Sequence, residues 1–461
     1  MTAQTILPAN SAASGGFEVA NSIRLDGNAY MYKDQSGGNR QIFTMSCWTK
    51  LTSGYGASAG SLLSVNGTDD DTNFHFGIDH GDASGGASDS LFCHIYGADA
   101  FRTTPLLRDY SAWYHIVLAV DTTQAAAENR MKVYVNNVQQ TLSQQGDYPD
   151  QNDNFGVNEN GARLGVGTHP GSVAAYALNS YLCEYVLIDG SQLTPASFAE
   201  ADEDSGVWKP IKVSGLTFGT NGFYLDFQAS GNLGNDANGG TDLTEVSIAA
   251  TDQSTDTCTN NFATLNPLIF ESSGNTFAEG NLKITGGGSD SWTTHYGLST
   301  IAVSTGKWFV EAKVTTVQAS QAILGLISTS QTIGSSLKDN GVAAVEKEGR
   351  ITGGGNNIET GLTAFSNGEI AGIAFDATNG TVQFYRQGSA YGSAVSSIAS
   401  DTYYFATTTY NAGGVVELNF GSPPYSESGG NSDADGFGNF SMSVPSGFFS
   451  ICTKNLAEYG G

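Results

Sequence analysis

The strongest constraint on the fold is a pair of alternating apolar runs in residues 368–392, GEIAGIAFDATNGTVQFYRQGSAYG, which flank a Thr-Asn-Gly turn. Period-two alternation is typical of a half-buried strand, and Asn-Gly between two such runs predicts a β-hairpin. A related pattern occupies residues 112–139, where WYHIVLAVD leads through a longer connection to MKVYVNN. Asp121 and Asp376 end the first strand of each hairpin, where a carboxylate caps backbone N–H groups of the turn. The repeated pattern therefore predicts two β domains with one hairpin scheme and not a duplicated active site.

The composition fits short strands joined by many turns. The 461 residues include 59 glycines and only 10 prolines, together with abundant Asn, Ser and Thr. Hydrophobic residues make up 39%, enough to bury real cores, and the length suggests two or three domains. We therefore predict an all-β chain with two antiparallel jelly-roll β-sandwich domains in tandem. The run WYHIVLAVD has apolar residues on both faces, which predicts a central strand covered on both sides. In GKWFVEAKV, one face of a half-buried strand is predicted to carry Trp308, Val310, Ala312 and Val314.

The strand-like runs fall into two series that are separated by a region poor in apolar residues. Four segments follow from this distribution: an N-terminal arm at 1–21, a first sandwich at 22–228, a Gly/Asn/Asp-rich linker at 229–276 and a second sandwich at 277–461. One short surface helix is predicted at residues 193–201, LTPASFAEA, with Thr194 as N-cap and Pro195 at the first helical position.

The net charge and the termini limit the possible partners and compartments. Lys and Arg number 19 against 45 Asp and Glu, a formal charge of −26. Such a surface repels phosphate backbones, so we expect no nucleic acid partner and no binding to anionic membranes. No run of 18 apolar residues predicts a membrane span. The N-terminus has neither a basic nor an apolar signal region, so no secretory signal is predicted.

The cysteines are few, odd in number and far apart in sequence. They are Cys47, Cys93, Cys183, Cys258 and Cys452. Most lie inside apolar strand-like runs, where a small thiol fills core space. The spacing disfavours both a disulfide framework and a zinc site, and it predicts assembly in a reducing cytoplasm.

Each strand series contains family-like motifs. The first has, in order, SIRLDGNAYMY, WYHIVLAVD, MKVYVNN and YLCEYVLIDGSQLTPASF, and resembles laminin-G-like, concanavalin A-like jelly rolls over about residues 22–210. That family usually has Gly after the hairpin Asn, whereas Asn136-Asn137 stands here, which a type I′ turn also accepts. The second has GKWFVEAKV, AILGLIST, the hairpin of residues 368–392 and VVELNFGSPPY, and resembles SPRY domains over about residues 277–456. Both families are two-sheet sandwiches used mainly for binding.

The order of the segments is informative as well. A polar arm, a laminin-G-like domain, the linker DTCTNNFATLNP and a SPRY-like domain ending in GFFSICTKNLAE are together similar to bacteriophage tail-fibre or appendage proteins. The resemblance implies a structural virion protein that assembles in the host cytoplasm and leaves by lysis. Its implied partners are other virion proteins, copies of itself in a homotrimer, and a host-surface glycan or protein. A head fibre or capsid decoration protein fits equally, and chains of this group often continue beyond the position of Gly461.

No residue pattern predicts catalysis. Glycosidases of jelly-roll type need two carboxylates on either side of the scissile bond. Glu271, Glu311 and Glu417 have no acidic partner at i+2, so we interpret them as solvated surface residues. The histidines are scattered along the chain and are interpreted as structural or surface residues: His75, His80, His94, His115, His169 and His295.

One acidic stretch is a candidate calcium site. The sequence NGTDDDTNFHFGIDHGD, residues 66–82, places Asp69, Asp71, Asp79 and Asp82 among turn residues. Carboxylate and carbonyl oxygens are the ligands that calcium prefers, but the EF-hand spacing is absent. A solvated acidic loop is the alternative interpretation. A second, weaker stretch is GNDANGGTD.

Glycan binding is the remaining candidate chemistry. An exposed aromatic ring can stack on a sugar face while Asn and Asp bind its hydroxyls, and Tyr110, Tyr148, Tyr176, Tyr410 and Asn411 are candidates. No binding residue of SPRY domains can be placed on this chain, because their binding loops vary. Three hypotheses stay open: a virion attachment protein, a calcium-dependent lectin outside a virion, and a glycan-cleaving enzyme.

Overall fold

The computed structural model describes residues 16–53, 59–67, 73–79, 89–95, 98–144, 148–269, 275–287, 296–316, 321–331, 337–409, 412–427 and 429–460. It divides into two compact units, Ala13–Thr259 and Asn260–Gly461. Each unit contains two large antiparallel sheets packed on a hydrophobic core. The chain is therefore all-β, with two jelly-roll sandwiches in tandem, as its sequence predicts. Among the described residues, no helix has both the length and the hydropathy to span a membrane.

The first unit consists of two eight-stranded sheets and a two-stranded ribbon. Its strands are β1 (Ser22–Asp26), β2 (Tyr30–Asp34), β3 (Ile42–Leu51), β4 (Ala59–Asn66), β5 (Phe74–Asp79), β6 (Ser90–Ile95), β7 (Ala98–Thr103), β8 (Trp113–Asp121), β9 (Met131–Val135), β10 (Val138–Gln139), β11 (Leu142–Gln144), β12 (Arg163–Val166), β13 (Asn179–Asp189), β14 (Ala199–Ala201), β15 (Trp208–Pro210), β16 (Phe223–Leu225), β17 (Thr244–Val246) and β18 (Gln253–Ser254). The β3 sheet has the order β10-β9-β8-β3-β13-β1-β18, with β16 beside β13. The β5 sheet has the order β11-β7-β6-β5-β4-β12-β2-β17.

The β3 sheet is covered on both faces. Along β8, Ile116 and Leu118 lie in the core between the two sheets, while Val117 lies on the opposite face. Phe198 and Phe218 pack on that opposite face. The prediction that this strand is central and buried on both sides is confirmed, because β8 lies between β9 and β3 and both of its faces contact apolar residues.

The second unit consists of a seven-stranded and a six-stranded sheet. Its strands are β19 (Thr276–Ala278), β20 (Lys283–Thr285), β21 (Tyr296–Val303), β22 (Lys307–Thr316), β23 (Ala322–Ser328), β24 (Ala343–Glu346), β25 (Arg350–Gly353), β26 (Asn356–Glu359), β27 (Ile370–Asp376), β28 (Thr381–Arg386), β29 (Ser389–Val395), β30 (Tyr403–Thr408) and β31 (Val415–Asn419), and its helices are α1 (Leu337–Asn340) and α2 (Thr453–Tyr459). The β22 sheet has the order β19-β20-β31-β22-β27-β28-β29 and the β23 sheet β21-β30-β23-β24-β25-β26. Trp308, Val310, Ala312 and Val314 of β22 share the core face, as predicted.

The hairpin turns use the chemistry that the sequence indicates. Asn136 and Asn137 have φ angles of 48° and 68°, the left-handed conformation that a type I′ turn requires at both positions. Asp376 accepts a hydrogen bond from the backbone N–H of Asn379 at 2.9 Å. Asp121 accepts one from its own turn in the same way. Both aspartates are thus turn residues, and their interpretation as such is confirmed.

The predicted helix at residues 193–201 is wrong. A single 3-10 turn covers Pro195–Ser197, and the side chain of Thr194 makes no capping hydrogen bond. The chain then continues as β14, which pairs with β15. The physical reason is tertiary: Phe198 is buried against the β3 sheet, and this contact ends the helical turn after one step.

The late part of the first unit returns to its earliest strands. β17 pairs with β2 and β18 pairs with β1, and both strands come from residues 229–276. Cys258 then places its Sγ 3.5 Å from that of Cys183 on β13. All five cysteines are buried thiols. Two cysteines that are distant in sequence are therefore close in the fold.

Candidate functional site

The outward face of the β5 sheet carries the side chains of the candidate site. Along β5, Phe74, Phe76 and Ile78 lie in the core. Because successive strand residues point to opposite faces, His75 and Asp79 lie on the outward face. They are only 4% and 1% exposed. This face is therefore packed, although the outward face of an antiparallel sheet is commonly solvated.

The strand register brings aromatic rings together on this face. His75 of β5 is opposite His94 of β6, Gly77 is opposite Phe92, and Phe92 is in turn opposite Arg102 of β7. The ring centroids of His75 and His94 are 5.9 Å apart, and Phe92 lies 4.7 Å from His75 and 4.8 Å from His94. Gly77 has no side chain because the backbone of Gly60 and Ser61 on β4 occupies the space that a Cβ would need.

The loop after β12 adds two more rings. His169 lies 5.7 Å from His75 and Tyr176 lies 4.4 Å from it, both edge to face. The backbone N–H of Ser61 donates to the carbonyl of Tyr176 at 3.1 Å, which fixes the loop on β4. Tyr176, His94 and His169 are all half-buried. We call this set the histidine face; it consists of His75, Phe92, His94, His169 and Tyr176.

Two imidazoles of the histidine face, those of His75 and His169, are held in the neutral form. His75 Nε2 lies 2.5 Å from the hydroxyl oxygen of Ser61. Burial holds the pKa of His75 well below its usual range, and repulsion from His169 and His94 lowers it further. Burial also lowers the pKa of His169. Its Nδ1 accepts a hydrogen bond from the N–H of Gly171 at 3.1 Å, which requires an unprotonated nitrogen.

A buried ion pair lies beside these rings. The guanidinium of Arg102 contacts the carboxylate of Asp79, and their side chains are 8% and 1% exposed. The same guanidinium lies 5.8 Å from the ring centroid of Phe92. A positive charge over a ring face is favourable when it is desolvated. The pair thus places two opposite charges on the face and leaves their sum near zero.

The calcium candidates are only partly visible in the structure. Asp79 is the described one, and its carboxylate is bonded to Arg102. Asp69, Asp71 and Asp82 lie outside the described residues. Across the described part of the chain, no three His, Cys, Asp or Glu side chains are grouped as metal ligands would be. Calcium binding in this stretch stays a prediction.

The second acidic stretch forms a tight loop of its own. Asp236 accepts hydrogen bonds from the backbone N–H groups of Tyr224 and Asn238, both at 3.0 Å. Asp242 accepts one from the N–H of Asp236 at 3.0 Å. These carboxylates therefore fix the loop conformation.

Of the described tyrosine candidates, Tyr176 is the one that packs on rings of the histidine face, those of His75 and His169. Tyr110 is half-buried, and its hydroxyl donates to Asp89 at 3.2 Å. Tyr148 is also half-buried. Tyr410 and Asn411 lie outside the described residues. The structure thus selects one of the glycan candidates.

Three histidines that are scattered along the sequence lie close together in the fold. His75, His94 and His169 are distant in sequence, but the register of β5 and β6 and the loop after β12 bring them together. His115 is structural, since it bonds Ser46 at 2.8 Å and accepts from Trp208 at 3.0 Å. His80 and His295 lie outside the described residues. In the sequence, His75 and His94 each stand between core residues of their strand. That position indicates a shared site only when the pairing of the two strands is known.

The interpretation of Glu311 and Glu417 as solvated residues is also wrong. They are 0% and 8% exposed. Glu311 accepts hydrogen bonds from the backbone N–H groups of Ser441 and Met442. Glu417 accepts one from the hydroxyl of Thr315 at 2.6 Å. These glutamates anchor neighbouring parts of the second sandwich.

The chain matches no protein-family model and no curated protein. Solved structures similar to parts of it include the SPRY domain of human HERC1, with 16% identity over 30% of this chain and 87% of that chain at a TM-score of 0.26. A protein from Bacteroides ovatus to which carbohydrate binding is attributed has 19% identity over 50% of this chain and 60% of that chain, at 0.36. A SAP-like pentraxin from Limulus polyphemus has 14% identity over 39% and 80%, at 0.28. At such identities the likeness concerns the β-sandwich fold, which this chain's own sheets establish.

Proposed function

We propose that this chain is an attachment protein that binds a surface glycan through its histidine face. The observation that carries the proposal is a half-buried tyrosine, Tyr176, packed edge to face on the buried His75 at 4.4 Å. The contact holds the phenol ring in place before any ligand arrives. A preorganised aromatic ring binds with a smaller loss of side-chain entropy than a mobile one.

The neighbouring groups suit hydroxyl-rich ligands. A sugar presents C–H groups on its ring faces and hydroxyl groups at its edges. The ring of Tyr176 offers an apolar face for the first, and the half-buried His94 and His169 are the polar rings next to it. A neutral imidazole has one donor and one acceptor nitrogen, as a hydroxyl group can both accept and donate. Ligand sites commonly combine aromatic surface with a few polar groups in this way.

The same face supports binding better than catalysis. A glycosidase needs two carboxyl groups, one on each side of the scissile bond. On the described strands of this sheet, the outward-facing carboxylates of Asp79 and Asp34 are each paired with an arginine. An ion-paired carboxylate is poorly placed to donate or accept a proton from substrate. We therefore propose a lectin-like role.

We further propose that the chain is a structural virion component, a subunit of a phage tail fibre or comparable appendage. The proposal is supported by the order of the arm, the two sandwiches and the linker, and by the acidic, cysteine-poor composition. In this role it would form homotrimers with other copies of itself and contact other virion proteins. A head fibre or capsid decoration protein, and a calcium-dependent lectin outside a virion, are the alternatives.

The glycan proposal is tested with the full chain on a glycan array, followed by calorimetry on each glycan that binds. Tyr176→Ala is expected to lower the affinity at least tenfold, which corresponds to about 1.4 kcal/mol. Tyr176→Phe keeps the ring and is expected to retain most of the affinity. Tyr148→Ala, a half-buried tyrosine whose neighbour Pro149 contacts Arg130, is the matched control. Absence of glycan binding, or binding unaffected by Tyr176→Ala, would reject the proposal.

Two further measurements separate the alternatives. Binding is expected to persist in EDTA, because Arg102 occupies the described carboxylate of the face. Loss of binding on chelation would favour the calcium-dependent lectin. Immunogold electron microscopy of virions with antibody against this chain tests the virion role. If every virion is unlabelled, that role is wrong, and the glycan proposal then stands or fails on its own assay.

A further inference from the structure

We propose that the histidine face selects uncharged glycans and rejects those that carry uronate, sialate or sulfate groups. The inference rests on the proposed function, since it specifies the class of glycan that the same face binds. Three features of the β5 sheet carry it: the partners of its arginines, the position of its lysine, and the neutrality of its imidazoles.

The arginines on the outward face already have carboxylate partners. Along the described strands of this sheet, alternation with core residues places Arg102 of β7 and Arg163 of β12 on that face. Arg102 is paired with Asp79. Arg163 donates to both carboxylate oxygens of Asp34, at 2.7 and 3.1 Å. Since a guanidinium fork is the usual partner of a sugar carboxylate or sulfate, an anionic ligand would first have to displace one of these aspartates.

The lysine of this sheet lies on its other side. Lys33 is two residues after Met31, a core residue, and so shares the inward face of β2. Its Nζ lies 5.4 Å from the ring centroid of Phe223 on β16, a strand of the opposite sheet. Lys33 is the lysine that the described strands of the β5 sheet contain. Its side chain is directed away from the histidine face.

The imidazoles of His75 and His169 supply hydrogen-bonding groups but no charge. Burial keeps His75 and His169 in the neutral form, as does repulsion among the three rings. Protonating one of them would place a cation next to its two neighbours. Neutral rings suit hydroxyl groups, whereas a charged ring would be needed to attract a carboxylate. The face is therefore polar and uncharged.

The field of the whole chain acts in the same direction. Its formal charge is −26 at pH 7. Such a field repels anionic polysaccharides before contact, most strongly at low ionic strength. An anionic ligand would thus meet repulsion at long range, and on the described strands of this sheet the arginines that face it are already paired with aspartates, while an uncharged glycan meets neither obstacle.

The experiment compares matched glycans on the intact chain at pH 7.4. Each neutral glycan that binds is paired with its sialylated, uronate or sulfated counterpart, for example lactose with sialyllactose, and affinities are measured in 20 mM and 300 mM salt. We expect the acidic partner to bind at least tenfold more weakly. We also expect that difference to shrink in high salt, and Tyr176→Ala to abolish binding of the neutral partner. The salt series needs no variant and is unaffected by folding defects.

A charge variant provides an independent readout. Asp79→Asn keeps the shape of the side chain but removes the charge opposite Arg102, so it is expected to raise affinity for the acidic partner severalfold; thermal melts check that it folds. If acidic glycans bind as well as neutral ones and Tyr176→Ala weakens both, the charge inference is wrong and the proposed function holds. If no glycan binds, or Tyr176→Ala changes nothing, the proposed function fails and this inference with it.

Discussion

The outward faces of two sheets, one in each sandwich, are covered in different ways. In the first sandwich, the β5 sheet carries the histidine face, on which Tyr176 is half-buried. In the second sandwich, Phe440 and Met442 from a later segment pack on Phe309 of β22. The rings of Phe309 and Phe440 meet edge to face at 5.3 Å. An apolar outward face is thus covered by later residues of the chain, whereas the histidine face consists of aromatic side chains that are buried or half-buried.

Each of these faces also contains a buried carboxylate, and the two are stabilised differently. Asp79 contacts the guanidinium of Arg102. Glu311 is held by backbone N–H groups, from Ser441 at 3.0 Å and from Met442 at 2.7 Å. Burial raises the pKa of Glu311 to about 7 despite these donors. The comparison indicates that N–H donors anchor a segment to a sheet, while an ion pair balances charge on a face that meets solvent.

The largest effect is expected from removing the apolar cover of the second sandwich. Phe440→Ala deletes a ring that is 0% exposed and packed on Phe309, so we expect the free energy of unfolding of the second sandwich to fall by about 4 kcal/mol. Hydrogen-exchange mass spectrometry checks this, because peptides of β22 and of β3 report on the two sandwiches separately. Phe448→Ala, a half-buried ring of the same cluster, is the control and should have less than half the effect. Equal losses for both variants would contradict the assignment of Phe440 as the cover.

The next effect concerns the ion pair of the first sandwich. Arg102→Ala leaves the buried carboxylate of Asp79 without its guanidinium, and we expect a loss of about 3 kcal/mol in the stability of the first sandwich. The double variant Arg102→Ala with Asp79→Ala is expected to be more stable than Arg102→Ala alone, since the charge that lost its partner is also gone. Urea denaturation of the single and double variants completes a double-mutant cycle. A coupling energy near zero would show that the ion pair of Arg102 and Asp79 contributes nothing to the stability of the first sandwich.

The sequence predicts the strands of this fold better than it predicts the contacts between them. Alternation along β8, β22 and β27 indicates which residues of each strand share a face, and these assignments are confirmed. It does not give the register, and only the register of β5 with β6 places His75 opposite His94. The alternation along a single strand therefore cannot predict a site whose side chains come from two paired strands.

Burial of Glu311 could not be predicted for a related reason. Within β22 the residue alternates with the core residues Val310 and Ala312, which predicts a solvated position. The groups that cover it, the backbone of Ser441 and Met442, come from 130 and 131 residues later in the chain. The local pattern correctly placed Glu311 on the outward face of β22. Its burial results from residues that are distant in the sequence. The same holds for Phe198, where packing on the β3 sheet ends the predicted helix early.

A third prediction tests the carboxylate of the second sandwich through pH. Because burial raises the pKa of Glu311 in the fold to about 7, the protonated form is the one that folding favours. The stability that protonated Glu311 contributes to the fold is therefore fully present below the pKa of a glutamate in the unfolded chain. It is lost as pH rises through about 7. We expect the stability of the second sandwich to fall by about 2 kcal/mol between pH 5 and pH 8 for this reason.

Glu311→Gln removes the titrating group and is expected to flatten that dependence. Urea midpoints of the second sandwich between pH 5 and pH 8 measure it, with Glu348→Gln as the control, since that glutamate is half-buried in the turn between β24 and β25. An unchanged pH dependence in Glu311→Gln would mean that other groups determine it. If Glu348→Gln flattens the pH dependence of the urea midpoint equally, the dependence cannot be assigned to Glu311.

The smallest effect is expected at the exposed ion pair of the β5 sheet, which shares its outward face with Asp79 and Arg102. Arg163 and Asp34 have side chains that are 45% and 65% exposed, and the guanidinium of Arg163 lies 4.0 Å from the ring centroid of Tyr32. Water and salt screen such a pair, so Arg163→Ala is expected to lower stability by about 0.5 kcal/mol, and by less in high salt. Thermal melts of this variant beside Arg102→Ala, at low and high salt, compare two pairs of the same chemistry on one sheet. A loss at Arg163 as large as that at Arg102 would show that burial is not what separates the two pairs.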